Sequence, residues 1–127
     1  MILCFDENMP PGVAKGLQAL GECEAVHITD HLPRGTPDEE VFRYIAEKSG
    51  WYLVTQDQRI QRNPLQRRAL AAAGIGAFIL TGRAQRDRRE MMVFILERLP
   101  EMGEQVAATP VPFIFGIPDR GPMRSLG

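Results

Sequence analysis

Acidic residues follow apolar segments of the sequence at points where a parallel sheet would bring them together. Asp6 comes directly after the segment MILCF, and Asp57 follows WYLVT by two residues. Asp38 opens the helical segment that leads into WYLVT. Carboxylate oxygens without histidine or cysteine are the ligands that Mg²⁺ and Mn²⁺ prefer. The spacing therefore predicts a divalent-cation site, and such an ion can activate water for attack on a phosphodiester.

Several of these polar residues also have a purely structural explanation. Asp6 or Asn8 can cap the helix that follows the two prolines. Asp38 lies in the first turn of its helix, where a carboxylate interacts favourably with the helix macrodipole. Thr36 and Glu39 form the pattern of a capping box. The joint placement of the acids at one sheet edge favours Asp6 as a metal ligand and leaves Asn8 as the predicted cap.

Strands and helices alternate along the chain. The apolar segments typical of strands are MILCF, CEAVHIT, WYLVT, GAFIL and, as a fifth candidate, PFIFGI. Helices are expected in PPGVAKGLQALG, TPDEEVFRYIAEKSG, LQRRALAAAG and residues 84–99, with QDQRIQRNP as a polar loop. The alternation predicts a three-layer α/β/α fold around a mainly parallel sheet of four to five strands. Ligands bind such a sheet at the carboxyl ends of its strands.

Length and composition are typical of a single globular domain. The chain has 127 residues, of which 44% are hydrophobic and 24% charged, and we expect one domain over residues 1–117 and a flexible tail over 118–127. Its apolar runs are shorter than the roughly 18 residues that span a bilayer. The two cysteines form no CxxC pair, and no segment has the composition of a secretory signal. We therefore expect a cytoplasmic protein without zinc and without a membrane partner.

The charge of the chain is unevenly distributed. Residues 1–57 contain ten acids and four bases, a net charge of −6, whereas residues 58–99 contain nine arginines and three acids, a net charge of +6. A separation of this kind is compatible with an acidic cation pocket beside a basic surface for a polyanion. On charge alone, solvated arginine-rich helices are the simpler interpretation.

Three segments in order resemble the PIN-like nuclease superfamily. They are FDENMPP, TPDEEVFRYIAEKSGWYLVTQD and GAFIL, which together cover roughly residues 1–82. The sequence is most similar to a short bacterial branch of that superfamily related to the VapC-type toxins. The resemblance implies a metal-dependent ribonuclease fold, with Mg²⁺ or Mn²⁺ as the cofactor and single-stranded RNA as the substrate. It also suggests an antitoxin protein and a second copy of the chain as partners.

The site residues of the family transfer to this chain position by position. The resemblance implies that the catalytic residues and metal ligands are Asp6, Asp38 and Asp57, with Thr55 as the companion of Asp57. Typical family members carry a further glutamate on an intervening helical segment. No residue matches it clearly, and Glu7 or Glu39 is the candidate substitute.

The sequence departs from the family after Asp57. The family continues as T-x-D-x-D-F, but this chain reads TQDQRI, so Arg59 stands where a second acid is usual. We expect Arg59, Arg62, Arg67 and Arg68 to steer the RNA backbone towards the acids. The loss of an acid at this position also supports an alternative, a catalytically weakened PIN-like protein with a binding or regulatory role.

A phosphoacceptor receiver domain is a second alternative. It has a similar length, an acidic pair after the first strand and an aspartate after the third. A receiver needs a lysine near the end of its last strand to meet the phosphoryl group. This chain has only Lys15 and Lys48, both in or near early helices, which ranks the receiver well below the nuclease.

Overall fold

Six strands form one sheet in a computed structural model that describes residues 1–82 and 86–126. Five of them run parallel, and the last pairs antiparallel, in the spatial order β2-β1-β3-β4-β5-β6. The strands are β1 (Ile2–Phe5), β2 (Glu24–His27), β3 (Trp51–Thr55), β4 (Gly76–Leu80), β5 (Phe113–Ile117) and β6 (Arg124–Ser125). The five strands expected from apolar segments are therefore present, with one short strand in addition.

Helices cover both faces of the sheet, which confirms the predicted three-layer fold. They are α1 (Pro11–Leu20), α2 (Asp38–Ala46), α3 (Arg59–Arg62), α4 (Pro64–Ala73) and α5 (Arg88–Ala108), with a 3₁₀ turn at Ile28–Asp30. Helices α1 and α5 contact each other on one face, and α2 contacts α4 on the other. No helix within residues 1–82 and 86–126 is long and apolar enough to cross a membrane.

Alternating side chains of the strands supply two separate cores. Leu3 and Phe5 of β1 pack into the core with α1 and α5, whereas Cys4 between them packs into the core with α2 and α4. Successive side chains of a strand point to opposite faces, so a strand covered on both faces must be apolar throughout. All five residues of β4 are buried for this reason, which explains the uninterrupted apolar segment GAFIL.

The order of the strands creates a crevice between β1 and β3. The chain passes from β1 to β2 on one side, and then returns across β1 to β3 on the other side. In sheets of this kind the connections diverge at such a switch point, and ligands bind outside the carboxyl ends of the two strands. Asp6 follows β1 and Thr55 ends β3, so both residues lie at this crevice.

The end of the chain differs from the free tail that the sequence suggested. Arg124–Ser125 pairs with β5, and the Leu126 amide donates to the Ile114 carbonyl over 2.8 Å. The Arg98 guanidinium donates to the carbonyls of Pro118 and Gly121 over 2.7 and 2.8 Å. These bonds hold the segment on the domain. They also cover the outer edge of β5.

One helix has boundaries that differ from the predicted ones, and another lies in a segment predicted to be a loop. The last helix was expected over 84–99 but occupies Arg88–Ala108, continuing through Pro100; residues 84 and 85 lie outside the described residues. A proline removes one backbone hydrogen bond from a helix, and the packing of the fully buried Met102 offsets the free-energy cost of that loss. The segment QDQRIQRNP, predicted as a loop, contains the short helix α3.

The predicted caps of α1 and α2 are wrong. Pro10 is the N-cap of α1, with no side-chain cap, so Asn8 does not cap this helix. Pro37 is the N-cap of α2, again without a side-chain cap, because the Thr36 hydroxyl donates instead to the Pro33 carbonyl over 2.6 Å. The capping box between Thr36 and Glu39 is therefore absent, and Glu39 is exposed.

Candidate active site

The Asp6 carboxylate is held in one orientation at the end of β1. Its Oδ1 accepts a hydrogen bond from the Glu7 amide over 2.8 Å, and its Oδ2 accepts one from the Thr55 hydroxyl over 2.8 Å. The Asp6 amide donates to the Val54 carbonyl over 3.0 Å, which continues the pairing of β1 with β3. Both the backbone and the side chain of Asp6 are therefore fixed by the neighbouring strand.

The environment of Asp6 disfavours its charged form. Burial raises the pKa of this carboxyl above its ordinary value, and the negative charges of Asp38 and Asp57 raise it further. The hydrogen bonds from Thr55 and Glu7 act in the opposite direction. A carboxylate that is desolvated beside two others gains from a nearby cation. The three predicted acids thus interact electrostatically at one edge of the sheet.

Thr55 connects Asp6 to Asp57. Its side chain is completely buried, and its hydroxyl, which donates to Asp6, accepts a hydrogen bond from the Asp57 amide over 3.0 Å. One hydroxyl can serve as donor and acceptor at the same time. The family resemblance suggested Thr55 as a companion of Asp57, and the structure places it between the two acids.

Arg59 engages both oxygens of Asp57. Its Nε lies 3.0 Å from Oδ1 and 2.9 Å from Oδ2, and its Nη2 lies 2.6 Å from Oδ2. The Arg59 amide also donates to Oδ1 over 2.9 Å. These interactions hold the pKa of the Asp57 carboxyl below its ordinary value. The sequence signal for this clamp is the D-x-R spacing, but Arg59 was interpreted there as a lost acid and as an RNA-binding residue.

Asp38 faces Asp6 and Arg59 from the first turn of α2. Its side chain is 36% exposed, and its Oδ2 lies 3.8 Å from the Arg59 Nη2. Asp38 also lines a small cleft together with Asp6, Glu7 and Thr36. The cleft encloses about 10 Å³, which is room for about one water molecule. Asp57 is not among the residues that line it.

The two candidate auxiliary glutamates occupy different places. Glu7 lines the cleft, but its Oε2 accepts a hydrogen bond from the Gly35 amide over 3.0 Å, which ties it to the loop before α2. Gly35 has a φ of 79°, a conformation that suits glycine. Glu39 lies in the groove between α2 and α4 beside Arg43. The structure therefore brings Glu7 to Asp6 and Asp38 and leaves Glu39 elsewhere.

The donor chemistry of the site suits a hard cation, but the present arrangement of the acids is not a ready coordination shell. Asp6, Asp38 and Asp57 offer only carboxylate oxygens, as Mg²⁺ and Mn²⁺ prefer. Within residues 1–82 and 86–126, no three histidine, cysteine, aspartate or glutamate side chains come together closely enough to hold a metal ion. In addition, the guanidinium of Arg59 contacts both oxygens of Asp57. The residues fit the ion in type, and Arg59 competes for one of them.

The four candidate RNA-binding arginines differ in solvent exposure and in their hydrogen-bond partners. Arg59 is 71% exposed but bound to Asp57. Arg62 is exposed, with one nitrogen 3.3 Å from the Gln58 side-chain oxygen. Arg67 donates to the Gln61 carbonyl. Arg68 is exposed and lines, with Arg67, a groove between α4 and the start of β5. Arg62 and Arg68 are thus the more accessible of the four.

The segment that follows Asp6 is held in place by two side chains to which the sequence analysis gave no such role. The Gln56 side-chain nitrogen Nε2 donates to the Asn8 carbonyl over 2.6 Å. The buried His27 ring has Nε2 2.8 Å from the Met9 carbonyl, so this nitrogen is assigned the proton, and Nδ1 accepts from the Thr29 amide over 3.3 Å. The glutamine and the histidine thus fix the segment that follows Asp6.

Replacing Thr55 by valine is expected to lower the free energy of unfolding by about 2 kcal/mol, because a charged acceptor and a backbone donor lose their partner while the shape is kept. Urea unfolding measures this. Thr109→Val is the matched control, because its hydroxyl makes only a long contact of 3.4 Å at the end of α5. A Thr55→Val protein as stable as the control would contradict a linking role for the hydroxyl.

The first two thirds of the chain match a known protein family. Residues 1–82 fit the sequence pattern of a family described as a PIN like domain. The matched part contains β1 to β4 together with Asp6, Asp38, Thr55 and Asp57. No curated protein and no solved structure matches the chain.

Proposed function

The chain belongs to the PIN-like domain family, and on that premise we propose that it is a ribonuclease dependent on Mg²⁺ or Mn²⁺ that cleaves single-stranded RNA. Asp6, Asp38 and Asp57 are the proposed metal ligands and catalytic residues. The observation that supports the proposal is the hydrogen-bonded link from Asp6 through Thr55 to Asp57 at the β1–β3 switch point. Asp38 is near enough for its charge to raise the pKa of Asp6. Sheets of this type bind their ligands at that edge.

The residues of the site have distinct tasks in this proposal. A divalent ion, when bound, supplies an activated water and neutralises charge on the phosphate. Thr55 orients the Asp6 carboxylate, and the amide of Glu7 holds its other oxygen. The cleft beside Asp6 and Asp38 has room for about one water molecule. The Asp6 carboxylate is therefore held in a fixed orientation beside this cleft.

The basic segment after β3 supplies the proposed contacts with RNA. Arg62 and Arg68 are exposed on α3 and α4, the elements that directly follow Asp57. Arginine contacts with phosphate give sequence-independent, salt-sensitive affinity. The choice of single-stranded RNA rests on the family. A role as the toxin of a toxin–antitoxin pair, an antitoxin partner and self-association stay predictions of the same kind.

The clamp of Arg59 on Asp57 favours a second candidate function. A protein whose acids are neutralised by its own arginine can persist as a binding or regulatory module without cleaving RNA. The receiver alternative receives no such support. Lys15 lies on α1, and Lys48 lies over the ring of Tyr44 at 4.7 Å, so neither follows the last parallel strand.

The test is cleavage of a labelled single-stranded oligoribonucleotide in Mn²⁺ and in EDTA. Asp38→Asn and Asp57→Asn should each reduce the Mn²⁺-dependent rate by about 100-fold or more, because each removes a charged ligand that stabilises the transition state. Asp30→Asn is the matched control, since Asp30 is exposed in the 3₁₀ turn after β2. RNA binding without metal-dependent cleavage would instead support the binding module.

A further inference from the structure

Arg59 occupies the acidic site as a cation would. Its guanidinium makes three contacts of 3.0 Å or less with the two oxygens of Asp57, and its Nη2 lies 3.8 Å from Asp38. We propose that Arg59 is an internal counter-cation of this site, and that a divalent ion binds by displacing its guanidinium from Asp57. The inference rests on the proposed function, because it takes Asp57 as a metal ligand.

The geometry is that of a specific clamp on one carboxylate. The Nε of Arg59 contacts both oxygens of Asp57, and the backbone amide of the same residue binds Oδ1. Each of the two oxygens thus already accepts at least two hydrogen bonds. A carboxylate oxygen has about two lone-pair sites. A metal ion can therefore take an oxygen of Asp57 only if a contact from Arg59 is released.

The electrostatic environment ties Arg59 to the whole acidic group. The pKa of its guanidinium is raised by the hydrogen bond with Asp57 and by the charges of Asp57, Asp38 and Asp6. Arg59 thus lessens the repulsion among three carboxylates. A divalent ion carries twice the charge and interacts with the same carboxylates more strongly. The arginine and the ion therefore each neutralise the same carboxylates, and one replaces the other.

The position of Arg59 allows the exchange. Its side chain is 71% exposed, and it begins α3, a helix of four residues. Exposed ion pairs contribute little to stability, because solvent competes with them. The guanidinium can therefore turn outward without disturbing the core. Once released, it lies beside the acidic site as a free positive charge for an RNA phosphate.

Direct measurement of Mn²⁺ binding tests the competition. Isothermal titration calorimetry with MnCl₂, on protein without RNA, compares the wild type with Arg59→Gln. We expect the variant to bind Mn²⁺ with a Kd lower by about tenfold, the effect of removing a unit positive charge about 5 Å from a divalent ion in water. Arg59→Lys keeps the charge but loses the planar fork, and should fall between the two.

Arg43→Gln is the matched control, because it removes an equal charge from an exposed site on α2. Its Kd for Mn²⁺ should equal that of the wild type. Thermal unfolding in EDTA shows that each variant is folded. Asp6→Asn, made both alone and in the Arg59→Gln background, shows whether the bound Mn²⁺ is in this site.

The outcomes separate the two proposals. Tighter Mn²⁺ binding by Arg59→Gln than by the wild type, lost when Asp6→Asn is added, supports the competition. The same holds if the wild type binds no Mn²⁺ and Arg59→Gln does. Equal, Asp6-dependent Kd values for wild type and Arg59→Gln would overturn the competition and leave the proposed metal site intact. Absence of Asp6-dependent binding in both would overturn both. Weaker binding by Arg59→Gln would show that Arg59 assists the metal, which also overturns the competition.

Discussion

Asparagine at position 6 is expected to abolish Mn²⁺-dependent RNA cleavage and, at neutral pH, to raise the midpoint of thermal unfolding. The first effect follows from the loss of a proposed, negatively charged metal ligand. The second follows because burial and the charges of Asp38 and Asp57 raise the pKa of Asp6 in the folded protein. Asparagine carries no charge and keeps an acceptor for the Thr55 hydroxyl. Its amide nitrogen cannot accept the hydrogen bond of the Glu7 amide, and this loss offsets part of the gain. A site built for binding is commonly strained in its empty form.

The sign of the stability effect depends on pH. A carboxyl whose folded pKa lies above its unfolded value binds more protons in the folded state. Its charged form therefore costs stability progressively as the pH rises through the interval between the two pKa values, and the full cost is present above the folded pKa. The gain from asparagine should thus be present at pH 7 and shrink towards the ordinary carboxyl pKa of 3.8.

The measurement is a series of thermal unfolding curves in EDTA from pH 4 to pH 8, for the wild type, Asp6→Asn and Asp30→Asn. The last variant removes an equal charge at an exposed position. Loss of cleavage together with a lower unfolding midpoint at pH 7 would mean that Asp6 is needed for folding, and the cleavage result alone would then say nothing about chemistry.

The positions of Asp6 and Thr55 could be predicted because they depend on strong local signals. MILCF and the first four residues of WYLVT are apolar, as is typical of strands buried on both faces. Parallel strands present their carboxyl ends at one edge, so the residue after each strand is placed once the strands are recognised. The alternation of strands and helices was enough to predict where the acids lie, without knowledge of side-chain contacts.

Side-chain partners could not be predicted in the same way. Arg59 was expected to face RNA, yet its guanidinium lies on Asp57. The choice between solvent and a carboxylate two residues away depends on the turn into α3, which has no strong sequence pattern. Glu39 illustrates the same difficulty, because its capping role depended on a Thr36 hydroxyl that binds the Pro33 carbonyl instead.

The structure of the last part of the chain depends on distant residues. PDRGPMRSLG has neither helical nor strand periodicity. It is held by Arg98 on α5, and by the Glu101 side chain, which accepts a hydrogen bond from the Met123 amide over 3.2 Å. Pairing with β5 then adds β6 to the sheet. Such long-range bonds leave no trace in the local sequence.

Replacing Phe78 by alanine is expected to lower the free energy of unfolding by about 4 kcal/mol, because it removes a large ring from a core that cannot collapse around the space. Phe78 is fully buried in β4. Its ring centroid lies 5.5 Å from that of Phe113 and 6.3 Å from that of Phe115. Urea unfolding measures the loss, with Ile79→Val on the other face of β4 as a control expected to cost about 1 kcal/mol.

This variant also separates folding from the chemistry of the acids. Phe78 belongs to the core with α1 and α5, and it makes none of the hydrogen bonds that hold Asp6 or Asp57. At a temperature where Phe78→Ala is folded, its Kd for Mn²⁺ should therefore equal that of the wild type, and cleavage should fall only in proportion to the unfolded fraction. A fully folded Phe78→Ala protein with weakened Mn²⁺ binding would show that the acidic site depends on this core as well as on Thr55.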